Sequence, residues 1–125
     1  MTESDELLRK FQLDRPRMDD EGLVQNPGYG FVRGIRDRAM MLDCQWKSGN
    51  RQGFSYHWLS RVELDLSGIV RLSFGPIRIE LRGTHLTTIY QLAIQQRLVW
   101  IREQDPIREQ VSSTDTVIEQ ILVME

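Results

Sequence analysis

A chain of 125 residues, 40% hydrophobic and 27% charged, has room for one domain with a real core and none of the bias of a disordered or disulfide-dense protein. The apolar run Leu98–Ile101 is too short to cross a membrane, and Met1–Lys10 is polar and acidic where a signal peptide needs an apolar centre. No transmembrane segment and a cytoplasmic location are therefore expected. The net charge of −2 conceals four basic against seven acidic residues over 1–28, eleven against six over 29–104, and one against five over 105–125. Two readings of this arginine-rich middle are open: the acidic ends fold back and screen it, or it meets an external anion.

Taken in chain order, Ser4–Leu13 carries Leu7, Leu8 and Phe11 at helical spacing before Pro16, which fits a short helix or a flexible lead. Residues Arg17–Gly28 read as a linker ending in the turn residues Asn26, Pro27 and Gly28. Tyr29–Ile35 is expected to add an edge strand interrupted by Gly30 and Gly34. The chain thus divides into an N-terminal arm and linker (1–28), a single α+β domain (29–104) and an acidic, apolar C-terminal arm (105–125).

The strongest pattern runs from Ala39 to Arg82. Met40, Leu42, Cys44 and Trp46 alternate with polar residues, and Phe54, Tyr56, Trp58, Val62 and Leu64 keep the same parity, as strands buried on one side require. A turn at Gly49, Asn50 and Arg51 would pair Trp46 with Phe54, Cys44 with Tyr56 and Leu42 with Trp58. A bulged turn at Leu66, Ser67 and Gly68 sets Leu64 opposite Val70 and Val62 opposite Leu72. The Gly75–Pro76 turn pairs Phe74 with Ile77, Leu72 with Ile79 and Val70 with Leu81, and places Arg71 against Glu80. The long second strand, Phe54–Leu64, is expected to bend at Ser60. Because a one-residue slip would turn every apolar side chain into water, the agreement of three turns on one face is strong support for a sheet.

After Gly83 the period changes. Thr84 reads as an N-cap, and Leu86, Ile89, Tyr90, Ala93 and Ile94 form a helical stripe ending near Gln96, with Leu98–Ile101 a short final strand. One longer helix through Glu103 is the alternative; Asp105 and Pro106 end either element. Val117–Met124 fits a two-turn helix or a strand. The last hairpin strand, Ile77–Arg82, needs a cover for its open edge, and Val117–Val123 of the same chain or of a second subunit is the expected occupant.

Chemistry is sparse. With His57, His85 and the lone Cys44, no Cys and His zinc site can be assembled from one chain, and Cys44 reads as a small core side chain. The histidines could meet Asp43, Glu63 or Asp65, but nothing in the spacing forces them together. No nucleophile elbow or phosphate loop is present in the sequence, so no enzymatic activity, cofactor or metal is expected.

The expected architecture is an α+β antiparallel meander forming a bent roll or partly open barrel closed by one helix. Its order of strands then helix resembles the pleckstrin-homology-like rolls and, with Leu98–Ile101 as a strand, SH3-type small barrels, in architecture alone. The function expected is a small non-catalytic protein-interaction or adaptor module. It would meet a protein partner or a second copy through the C-terminal arm at Val117, Ile118, Ile121 and Leu122. The alternative is binding of nucleic acid or anionic lipid through Arg61, Arg71, Arg78 and Arg82 on the solvent face of the sheet. Nucleic acid is disfavoured because the strand aromatics share the buried parity.

Overall fold

The structure is a computed structural model that describes residues 22–125. The expected helix at Ser4–Leu13 lies outside them. The elements are β1 (Leu23–Gln25), β2 (Tyr29–Val32), β3 (Met41–Gln45), β4 (Arg51–Ser55), a 3-10 turn at Tyr56–Trp58, β5 (Leu59–Asp65), β6 (Ile69–Phe74), β7 (Ile77–Thr84), helix α1 (Thr87–Ile94), β8 (Leu98–Arg102) and β9 (Val117–Met124). They build a five-stranded sheet of order β1-β2-β8-β3-β4 and a four-stranded sheet of order β5-β6-β7-β9. The described chain is therefore a β-rich α+β arrangement, and the sheets are not closed into a barrel. Every pairing is antiparallel except that of β3 with β8.

The inner faces of both sheets meet in one core. Leu42 and Cys44 from β3, Val70 and Leu72 from β6, Ile79 and Leu81 from β7, and Leu98 and Ile101 from β8 are fully buried. Each such aliphatic residue contributes about 1.5–3 kcal/mol by leaving water, so the set outweighs any surface contact in the molecule. The two later turns have the expected registers: Leu64 faces Val70, Val62 faces Leu72, Phe74 faces Ile77, Leu72 faces Ile79 and Val70 faces Leu81. Gly68 and Gly75 take the positive φ angles (93° and 61°) that these turns demand.

The first hairpin differs. Its loop is Lys47, Ser48 and Gly49, so Gln45 faces Arg51, Cys44 faces Gln52 and Leu42 faces Phe54. Gly49 occupies the last loop position at φ 94°, as Gly68 does in the next hairpin, because a bulged three-residue loop places its left-handed residue last. The loop lies two residues earlier and each partner changes by four, an even shift that keeps parity, which is why the buried face survives the wrong register. Parity fails elsewhere: Met40 is 85% and Trp58 63% exposed. Met40 precedes the first strand residue. The long second strand is broken by a 3-10 turn at Tyr56–Trp58, which ends β4 and starts β5 in the second sheet, so alternation does not carry across it. The register also shifts at Ser60, between Leu59 and Arg61, the place of the expected bend.

Further differences concern the ends of elements. Leu23–Gln25, read as linker, pairs with β2, and β2 lies between β1 and β8, so it is not an edge. Thr84 is not a helix cap but the last residue of β7, since a bulge at Glu119 of β9, opposite Arg82 and Gly83, carries the pairing as far as Val117. The chain then turns through His85 at φ 54° and the helix starts at Thr87, which rotates its buried stripe to Leu86, Ile89, Leu92 and Ala93 and leaves Ile94 outside. Helix α1 packs against β5 and β8. Of the alternatives left open for the C-terminal segment, Val117–Met124 is a strand, and it covers the β7 edge from within the same chain, as one of the two expected arrangements had it.

Candidate interaction site

The sites expected from sequence are largely occupied by the fold itself. Val117, Ile118 and Ile121 are buried against their own domain and Leu122 is half-buried. The outer edge of β9 is closed at Ile118 and Ile121. Ile121 N donates to Glu103 Oε2 at 2.8 Å, Ile121 O accepts from Trp46 Nε1 at 2.9 Å, and Ile118 O accepts from Gln104 N at 2.8 Å. These bonds come from the other sheet, so the edge strand is capped by side chains and a loop and offers no ladder at Ile118 and Ile121.

Three of the four arginines of the expected anion-binding face are paired internally. Arg61 pairs with Glu63 at 3.4 Å, Arg71 with Glu80 at 3.2 Å and Asp65 at 3.8 Å, and Arg82 with Glu80 at 2.7 Å. Arg78 alone of the four has no ion-pair partner among the described residues. The hydrogen bonds from Arg82 hold the Glu80 carboxyl below the usual carboxylate range, outweighing its burial, and Arg71 adds to the effect.

The histidines and carboxylates are not brought together. Asp43 bonds Arg51, and Asp65 accepts from Ser67 N and Oγ, contacts that lower its carboxyl. His85 Nε2 lies 2.7 Å from Ser113 O, while the His57 ring stands edge-on to Trp58 with centroids 5.4 Å apart. Among the described residues no three His, Cys, Asp or Glu side chains gather as a metal site would require, and no helix is long and apolar enough to cross a membrane.

The surface that joins an open strand edge to an apolar groove begins with the β3–β4 hairpin. Trp46 N donates to Asn50 O and Tyr56 N donates to Met40 O. These bonds bracket the ladder, so even-numbered residues of β4 bond inward to β3, and Arg51, Gly53 and Ser55 direct their amides and carbonyls outward. Strand β4 is the outermost strand of its sheet, with no strand beside it among the described residues.

Beside this edge the chain crosses to the second sheet. Ser55 Oγ accepts from His57 N at 3.2 Å and starts the 3-10 turn, and the buried Tyr56 hydroxyl donates to Leu98 O at 2.5 Å. Burial raises the Tyr56 phenol well above its ordinary pKa, so it stays a neutral donor. With Tyr56 held inward, the turn pushes Trp58 outward, where Trp58 O accepts from Gly75 N at 2.8 Å. The result is a groove of about 350 Å³ between β4 and the β6–β7 turn, lined by Gly53, Phe54, Trp58, Phe74, Pro76 and Ile77, with Gln52 and Ser55 at its rim. Phe54 and Phe74 form its floor with ring centroids 5.5 Å apart. No ionisable side chain lines it. It offers apolar contact and a backbone ladder, with no acid, base or nucleophile.

Sequence parity assigns Trp58 to the core and so conceals this site; the run Tyr56-His57-Trp58 carries no local mark of a 3-10 turn. A larger cavity of about 430 Å³ by Lys47, Arg51, Arg102, Glu103 and Glu109 is a structural junction. Arg102 pairs with Glu109 at 2.7 Å, holding that carboxyl low, and Glu103 Oε1 accepts from Lys47 N at 2.9 Å. No protein-family model matches the chain, and no curated protein or solved structure matches it significantly.

Proposed function

We propose that this chain is a non-catalytic protein-interaction module that takes up an extended segment of a protein partner along β4. The observation that carries the reading is the juxtaposition of an unpaired strand edge with an uncharged apolar groove around the 63% exposed Trp58. Strand addition supplies affinity through main-chain bonds to Arg51, Gly53 and Ser55, and a side chain of the guest entering the groove supplies selectivity. We read the two sheets as halves of an open roll, with this groove as its seam. The closed outer edge of β9 favours β4 over the C-terminal strand as the contact.

A displayed library of extended peptides tests the proposal. Peptides selected on the intact protein should change Trp58 fluorescence and protect the Gly53 and Ser55 amides from hydrogen exchange. Trp58→Ala should weaken them at least tenfold, the usual cost of truncating an interface tryptophan. Gly53→Pro should weaken them too, because it removes an outward amide. Selection that yields no peptide sensitive to both changes would count against the reading.

A further inference from the structure

The loop between β2 and β3 carries Arg33, Arg36 and Arg38 within six residues, all exposed. A fourth guanidinium, from Arg97, bonds to the loop base: Nε donates to Val32 O at 3.0 Å and a terminal nitrogen to Arg33 O at 2.7 Å. Arg38 likewise turns to backbone, donating to Ile35 O and Asp37 O. None of the four has an ion-pair partner among the described residues, in contrast to Arg61, Arg71 and Arg82 of the second sheet. Asp37 is the loop's single carboxylate, folded against Gly34.

Large apolar side chains stand among these charges. Ile35, at the loop tip, is 81% exposed; Met40, Met41 and Ile94 are 85%, 50% and 53% exposed. Ala39 N donates to Gln96 O at 2.8 Å and Gln96 Nε2 donates to Ala39 O at 3.1 Å, which brings the end of α1, with Ile94, to the loop base. The loop is thus tied down at its base, and along it and beside it exposed alkyl groups alternate in sequence with arginines that have no ion-pair partner among the described residues.

We infer that this face docks on the surface of a bilayer rich in anionic phospholipid. The guanidinium groups of Arg33, Arg36 and Arg38 would meet lipid phosphates and carboxylates, with half-buried Arg97, all of whose nitrogens donate within the fold, bracing the loop base. Ile35 and Met40 would enter the boundary between headgroups and acyl chains. The aliphatic character of the patch favours lipid over nucleic acid, since single strands are held by exposed rings, whereas Phe31 is half-buried with Arg97 above it at 5.5 Å, and Tyr29 and Tyr90 are half-buried too. This inference is independent of the β4 groove.

Co-sedimentation of the intact protein with phosphatidylcholine vesicles, with and without phosphatidylserine, tests it. Binding is expected to the anionic vesicles alone and to weaken as salt is raised. Arg36→Ala and Arg38→Ala should each lower partitioning about fivefold, the share of one cation near such a surface. Ile35→Ser should lower it with the charge unchanged, while Trp58→Ala and Arg61→Gln leave it as it was; a thermal melt verifies that each variant is folded. Failure of the intact chain to sediment, equal binding to neutral vesicles, or full binding by the Arg36→Ala, Arg38→Ala double variant overturns the inference. So does binding of a single-stranded polynucleotide, dependent on the same arginines, in the absence of vesicle binding.

Discussion

At the residue scale, the environment of each side chain sets its chemistry. Burial pushes the Cys44 thiol up to about 12, with the nearby Asp43 charge adding to the effect, so the thiolate is scarce at neutral pH and the sulfur is out of reach. Native protein should accordingly react with a thiol reagent orders of magnitude more slowly than protein in denaturant; equal rates would show an open core. Glu80 behaves oppositely. Its folded pKa lies below the unfolded carboxylate value of about 4.3, so its contribution is complete above that range and lost as pH falls through the folded value. Glu80→Gln should cost about 1 kcal/mol at neutral pH, discounted because both arginine partners are partly exposed, and should flatten the decline in urea midpoint below about pH 4. Gly83 has a different constraint: any Cβ there would run into the Val117 carbonyl. Gly83→Ala should therefore destabilise by roughly 1–3 kcal/mol, whereas Gly22, with nothing nearby, should tolerate alanine. Comparable urea midpoints for the two variants would contradict this.

At the element scale, β9 is a core strand and the β4 edge is open. Ile118→Ala should cost about 2–5 kcal/mol, the range for emptying a buried aliphatic site, a large part of the stability of a domain this size. Amide exchange should separate the two edges: residues 77–82, bonded to β9, exchange slowly, and Arg51, Gly53 and Ser55 exchange fast. Slow exchange at β4 in the isolated protein would mean that something already covers it. The hairpins show why some elements are readable and others not. Gly68 and Gly75 fix their turns locally, because only glycine is at ease at those φ values and the flanking alternation leaves one register. The β3–β4 hairpin has two registers of equal parity, and apolar pattern cannot choose between them; the position of Gly49 in the bulged loop does. The three residues of β1 hold no periodicity at all and pair only because β2 is beside them.

At the scale of the whole molecule, one core joins the two sheets, so they should unfold together. Leu42→Ala in the first sheet and Ile118→Ala in the second should each lower a single urea midpoint reported alike by tryptophan fluorescence and far-ultraviolet circular dichroism; separate transitions would show two folding units. The bonds from Trp46 and Glu103 to Ile121 are part of this coupling. What sequence by itself determined is the set of buried faces, the later hairpin registers and the helix that follows them, because alternation, glycine and proline act within a few residues. The need to cover the β7 edge, and a chain segment able to do it, were also legible. Only the tertiary structure decided that the strand after Ser55 changes sheet, that β8 runs parallel to β3, and that β9 is capped while β4 is left open. The candidate site follows from those decisions: Trp58 has the same parity as Tyr56, and one lies in the groove and the other in the core because a 3-10 turn, anchored by the Tyr56 hydroxyl on distant Leu98, breaks the alternation between them. Arginines that are near in sequence and arginines that are paired in space are equally indistinguishable until carboxylates from neighbouring strands are set beside one group and not the other.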